Sequence, residues 1–252
     1  MTDDFRADPS RVADADRPAP AEGLLEALEA DHARDQRTIN VTWAESWALA
    51  LVAGLIGLGY LWQLYMQHLS PNPDAEWLAV LSRHALAEGR WWTLFSAMFM
   101  HGGGFHLLMN LSALLPFGLI VGRRLGANLR GQLTFLAFYL GAGLAADLAF
   151  LLLTGPNTAV VGASGAIFGL WGAVVRLPRD RGVWPLFSRH TARQMAAPII
   201  ANVLVAVLFG LGAGMGQGEV AGIAWQAHLG GFLFGLLTIG FIVPRGRGRT
   251  TA

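Results

Sequence analysis

The chain of 252 residues contains no cysteine, and all of its 18 basic residues are arginine. Without cysteine there is no disulfide, no thiolate nucleophile and no cysteine-based zinc site. Charge is scarce as well, at 14% of residues, against about 25% in a typical soluble domain. No HExxH pattern occurs, so a helix-borne zinc peptidase site is excluded. Asp147 is the single aspartate within the long apolar segments, which leaves no pair of acids for an aspartyl mechanism there.

What fills the chain instead is apolar and small. Hydrophobic residues make up 54%, with 32 glycines and 9 tryptophans. Mean hydropathy is +0.44. Glycine-rich helices in lipid with aromatics at the interfaces have this composition, so a polytopic all-α membrane protein is expected.

Residues 1–42 are polar, with three prolines and more acids than bases. No basic stretch leads into an early apolar core, as a cleaved signal peptide requires. A polar, largely disordered cytoplasmic extension is the expectation. A membrane domain over 43–244 comes next, then a basic cytoplasmic tail over 245–252. Six apolar segments are predicted, at about 44–66, 103–121, 132–153, 161–176, 197–213 and 222–243. A spanning helix needs about 20 residues. The fourth and fifth are short, which suits helices that begin below the membrane surface.

Arginines orient the bundle. They cluster between segments two and three (Arg123, Arg124, Arg130), between four and five (Arg176, Arg179, Arg181, Arg189, Arg193) and in the tail. The alternate loops are poor in base. The positive-inside rule then places both termini in the cytoplasm, as for a multi-pass protein of a bacterial inner membrane. The first loop, about 67–102, falls outside. With Trp77, Trp91 and Trp92, it is expected to hold two amphipathic helices lying along the interface.

Segments two, four and six therefore run the same way, and each carries its polar residues near the outer end. Segment two opens HGGGFHLLMN, with His101, His106 and Asn110; segment four holds Ser164; segment six holds His228, about two turns in. At 1.5 Å rise per residue these groups lie roughly 5–10 Å below the outer surface. Polar residues inside a bilayer are costly and face a cavity or a partner, so three clusters at one depth point to a shared site. A serine hydroxyl needs an adjacent base, usually histidine. Developing oxyanions need donors. Ser164 lies near a helix N-terminus, where free N–H groups favour negative charge. His106 and Asn110 share one helix face at i, i+4 and are placed to add donors. His101 cannot share that face and is expected to shape the start of the helix. Gly162, Gly165, Gly169 and Gly172 form one smooth face on segment four, and Ala227, Gly231 and Gly235 another on segment six. Such faces let two helices approach closely, as a Ser–His hydrogen bond between them requires. Asp147 is expected in the outer half of segment three as a water-facing structural partner.

HGGGFHLLMN (101–110), GASGAIFG (162–169) and AHLGG (227–231), in this order and spacing, resemble the rhomboid intramembrane serine proteases. The resemblance covers roughly 43–244. It implies a six-transmembrane-helix bundle with an embedded first loop, and a fifth helix and fifth loop (212–222) that gate lateral access. It implies Ser164 as nucleophile and His228 as general base, a dyad without a third acid. His106, Asn110 and the Ser164 N–H would line the oxyanion hole. Gly162 would keep the backbone open, and Phe168 would pack on the His228 imidazole. No cofactor or metal is implied and no nucleic-acid partner; the partners are the bilayer and single-span or polytopic membrane-protein substrates. Two departures concern the loops. A Trp-Arg pair common in the family is replaced by Trp92–Thr93, and Gly122 stands where an acid often precedes the basic pair in GRRLG (122–126). Two rival classes are a small transporter, for which no inverted repeat is visible, and a rhomboid-like client-binding protein without catalysis, against which both Ser164 and His228 are retained.

Overall fold

In this computed structural model, the described residues are 46–178, 182–212 and 224–243, together with Gly23 and Glu26. The chain divides into two units, Met1–Ala44 and Glu45–Ala252, and the helical bundle belongs to the second. The expectations for 1–42, for most of the fifth loop and for the tail lie outside the described residues.

Six apolar helices carry the fold: α1 (Trp47–His68), α2 (Gly104–Leu125), α3 (Leu129–Leu153), α4 (Ser164–Val175), α5 (Ala196–Gly212) and α6 (Trp225–Ile242). Among the described residues, α1, α2, α3 and α6 are each long and apolar enough to cross a membrane. Local chemistry sets the boundaries. Gly126, at φ +106°, ends α2 by taking a left-handed conformation that costs other residues energy. Two residues later the Asn128 side chain accepts the Gly131 N–H at 2.8 Å and starts α3. The shortest span is α4, at 12 residues or about 18 Å. It cannot cross a hydrocarbon layer of about 30 Å unaided, so its first residue starts inside the bundle.

One core runs through the bundle. Leu49 and Ile56 of α1, Leu114 of α2, Phe135 and Tyr139 of α3, Leu170 of α4 and Ile239 of α6 are all fully buried within it. Burying each such side chain contributes about 1.5–3 kcal/mol. Two glutamines fasten the helices through their amides. Gln132 accepts the Ala48 N–H at 3.1 Å and donates to Gly126 O at 2.9 Å, joining the start of α1 to the α2–α3 turn. Gln63 accepts the His101 N–H at 3.0 Å and donates to His101 O at 2.8 Å, joining α1 to the approach to α2.

The first loop differs from the expected pair of amphipathic helices. It forms short helical turns at Pro73–Ala79, Arg83–Ala87, Thr93–Ser96 and Ala97–Phe99, with one two-residue strand, β1 (Leu81–Ser82). β1 pairs antiparallel with β2 (Ala159–Val160), in the register Leu81 to Val160 and Ser82 to Ala159. The loop is tied by other residues than a Trp-Arg pair. Arg90 donates to Trp77 O at 2.9 Å and pairs with Glu88, and the Trp92 indole donates to Leu78 O at 2.8 Å. At the other departure, Arg124 donates to Pro178 O at 2.7 Å and to Gly182 O, bracing the α2 end without an acid at 122.

The glycine faces are used differently from the simple expectation. Cβ atoms on Gly231 and Gly235 of α6 would overlap the carbonyl oxygens of Gly165 and Gly169 on α4. Gly172 of α4 meets the α6 backbone at Phe232 in the same way. Gly165 and Gly169, however, have their closest neighbours on α3, at the methyls of Ala146 and Ala142. Helix α4 is thus wedged between α3 and α6. Asp147 shares a buried face of α3 with Gly143 at i−4 and Phe150 at i+3. It is 6% exposed, so the expectation that it faces water is corrected: its helical spacing turns it into the bundle.

Candidate active site

The residues before Ser164 are held extended, then turned sharply. β2 is pinned by β1, and the Gly162 N–H donates to Ala97 O at 2.8 Å. Gly162 has φ +128°, a conformation that suits glycine. The chain then enters α4 with Ser164 as its first helical residue and no side-chain cap. The leading N–H groups of α4 therefore have no intrahelical acceptor, and Ile167 is the first to bond back, to Ala163 O at 3.0 Å. Ser164 itself is half-buried.

His228 lies in the first turn of α6, because the helix begins at Trp225 rather than at 222. It is therefore one turn from the helix start, not two. The residue is 3% exposed. Nε2 is 2.9 Å from Ser164 Oγ. The ring stacks on Phe168, with centroids 4.2 Å apart and planes within 6°. Phe168 stands one turn along α4 from Ser164, so the helix that carries the hydroxyl also holds the imidazole flat against it. The remaining ring nitrogen, Nδ1, is 3.0 Å from Oδ1 of Asn202 on α5. Asn202 is not among the residues that the motifs point to. It nevertheless carries a signal: it is the single polar side chain in Ala196–Gly212, and such residues in apolar helices seek a partner.

His106 and Asn110 face Gly162 from α2. A Cβ at Gly162 would stand 2.8 Å from His106 Cε1, 3.1 Å from its Nε2 and 3.7 Å from Asn110 Nδ2. The Gly102 N–H donates to His106 Nδ1 at 3.2 Å. A neutral imidazole that accepts at Nδ1 carries its proton on Nε2, so His106 presents a donor toward Gly162. Asn110 is 5% exposed, and its buried Nδ2 has no acceptor among the described residues. Two donors thus converge on the backbone just ahead of Ser164. An unpaired buried donor costs about 1–3 kcal/mol, and an incoming oxyanion would satisfy it.

His101 precedes α2 rather than riding on it. It is fully buried, and its ring stands edge-on to His106 with centroids 5.1 Å apart. It supports the His106 ring and adds no group at Gly162. Among the described residues, no three His, Asp or Glu side chains are grouped to hold a metal ion.

Comparison with known proteins places the chain in a family. The Rhomboid domain model matches residues 88–245, more than half of the chain. RHOMBOID-like protein 5 of Arabidopsis thaliana is 29% identical over 69% of this chain and 52% of its own length. Rhomboid protease GluP of Bacillus subtilis is 32% identical over 60% of this chain and 26% of its own. Rhomboid-like protease 5 of Toxoplasma gondii is 33% identical over 70% of this chain and 19% of its own. The chain thus spans about half or less of the length of these relatives. With its apolar helices and the matched domain, the chain is an integral membrane protein belonging to the rhomboid family.

Proposed function

We propose that the protein is a serine endopeptidase that cuts transmembrane segments of other membrane proteins near their outer ends. The observation that carries this reading is the 2.9 Å approach of Ser164 Oγ to His228 Nε2 across two helices. Similarity to Rhomboid protease GluP supports it.

Each step uses groups already in place. A substrate helix moves in from the lipid and unwinds locally, since a helical peptide bond is shielded by its own side chains and hydrogen bonds. Ser164 Oγ attacks the carbonyl carbon as His228 Nε2 takes its proton. Negative charge on the former carbonyl oxygen is met by the Ser164 N–H, His106 Nε2–H and Asn110 Nδ2–H. His228 then passes its proton to the departing amine, leaving an acyl ester on Ser164. Water, deprotonated by His228, attacks the ester and frees the second product. No metal or cofactor takes part. Small residues at the cleaved bond and helix breakers beside it favour cleavage, because they lower the cost of unwinding. The arginine distribution supports cytoplasmic termini in a bacterial membrane, with the site toward the outer face.

The test is co-expression of a panel of tagged single-span proteins with wild type, Ser164→Ala and His228→Ala. Wild type cleaves at least one of them, and both variants lose on the order of 10³-fold or more in rate. Equal cleavage by all three sinks the proposal. A client that wild type binds without cutting, and that both variants bind equally, identifies a client-retaining protein instead.

A further inference from the structure

We infer that Asn202, on α5, is a positioning residue that fixes the tautomer of His228 and so makes it a base toward Ser164. The inference rests on the peptidase reading above and adds a fourth helix to its machinery.

A neutral imidazole carries one proton on its two ring nitrogens. His228 Nε2, 2.9 Å from Ser164 Oγ, can take the serine proton only if it holds a lone pair. The ring proton must then sit on Nδ1, and that N–H needs an acceptor. A free histidine side chain prefers the opposite tautomer, with the proton on Nε2. Asn202 Oδ1, 3.0 Å from Nδ1, is the acceptor that reverses the preference. Phe168 fixes the plane of the ring, and Asn202 fixes which edge of it carries hydrogen.

The choice of an amide suits the setting. A carboxylate here would bring a buried negative charge with its desolvation cost. The amide oxygen accepts the same hydrogen bond with no net charge. It keeps accepting after His228 has taken the serine proton, when both ring nitrogens carry hydrogen, so it also steadies the imidazolium. The helix context points the same way. Around Asn202, Ile199, Ile200, Val203 and Leu204 are each more than half exposed, a face built for lipid. One amide in such a helix is expensive unless it is partnered, and its partner is the base of the site.

The test uses the full chain in proteoliposomes with a fluorogenic single-span peptide, comparing wild type, Asn202→Leu, Asn202→Asp and Ser164→Ala. Nitrogen-15 shifts of the His228 ring, assigned by difference against His228→Gln, report the tautomer. Wild type is expected to carry the proton on Nδ1. In Asn202→Leu it moves to Nε2, and kcat falls on the order of 10–100-fold with KM unchanged. Asn202→Asp, which keeps an acceptor at the same place, returns kcat to within several-fold of wild type. An Nε2–H tautomer in wild type overturns the inference, and so does a kcat within twofold in Asn202→Leu. If Asn202→Leu does not fold, the wild-type tautomer decides alone. Cleavage that persists in Ser164→Ala is a different failure, that of the peptidase reading itself. Loss in Ser164→Ala with full kcat in Asn202→Leu removes only the role of Asn202.

Discussion

Ser164 and His228, the nucleophile and base proposed above, sit on two helices whose backbones touch. The third partner of the base sits on a helix dressed for lipid. Along the contact of α4 with α6, glycines at 231 and 235 leave no room for even a methyl group against the opposing carbonyls. Helix α5 instead turns Ile199, Ile200, Val203, Leu204 and Val207 outward. The contrast shows two ways of placing a functional group. Backbone contact sets the Ser164–His228 distance with little freedom, because atoms in van der Waals contact cannot slide. A lone hydrogen bond from α5 sets the ring's protonation with little investment in packing.

Substitutions that close or open this difference test it. The largest effect is expected from Gly235→Ala, whose Cβ overlaps Gly169 O. Overpacking against backbone should cost about 3 kcal/mol or more, seen as a lowered melting temperature and lost cleavage. A change under about 0.5 kcal/mol would break the comparison. Next comes Gly162→Ala, where φ +128° is strained for alanine and the new methyl stands 2.8 Å from His106 Cε1. Strain of about 1–3 kcal/mol is expected, with kcat falling further than that stability loss alone explains, since His106 is displaced. Gln132→Leu removes both of its amide bonds and strands the Ala48 N–H. It should cost about 1–2 kcal/mol in unfolding assays and leave KM unchanged, because it lies away from the site. Smallest is Leu204→Ala on the exposed face of α5, where stability should stay within about 0.5 kcal/mol. A large loss there would show α5 to be packed as firmly as the α4–α6 contact.

Much of the architecture is legible in the sequence because lipid punishes polarity. Apolar runs have to be helices, and their polar exceptions have to meet, so Ser164 can be paired with His228 by depth, and His106 with Asn110 by their i, i+4 spacing. Phe168 on the His228 ring comes with the family pattern. Other features depend on contacts that sequence spacing does not encode. The glycines of α4 share one face, yet Gly165 and Gly169 have their closest neighbours on α3, because three helices converge there. The β1–β2 pairing joins two-residue stretches too short to show a period. Gln63 and Gln132 act through amides whose partners are backbone groups of distant segments, and any residue type can supply those. Asp147 stands out as an acid in a span, but only its neighbours on α3 show that it points inward. Asn202 is legible in principle, as a single amide in a helix otherwise made of hydrocarbon and glycine, but no motif singles it out.

His228 follows Ser164 by 64 positions, and it rides on the last of the six helices. Under the peptidase reading proposed above, the nucleophile is therefore synthesised before its base. On that reading, an unfinished chain holds its serine with no base to deprotonate it. On the same reading the dyad is complete only once α6 has docked its glycines on α4, which would make that helix the arming step of assembly.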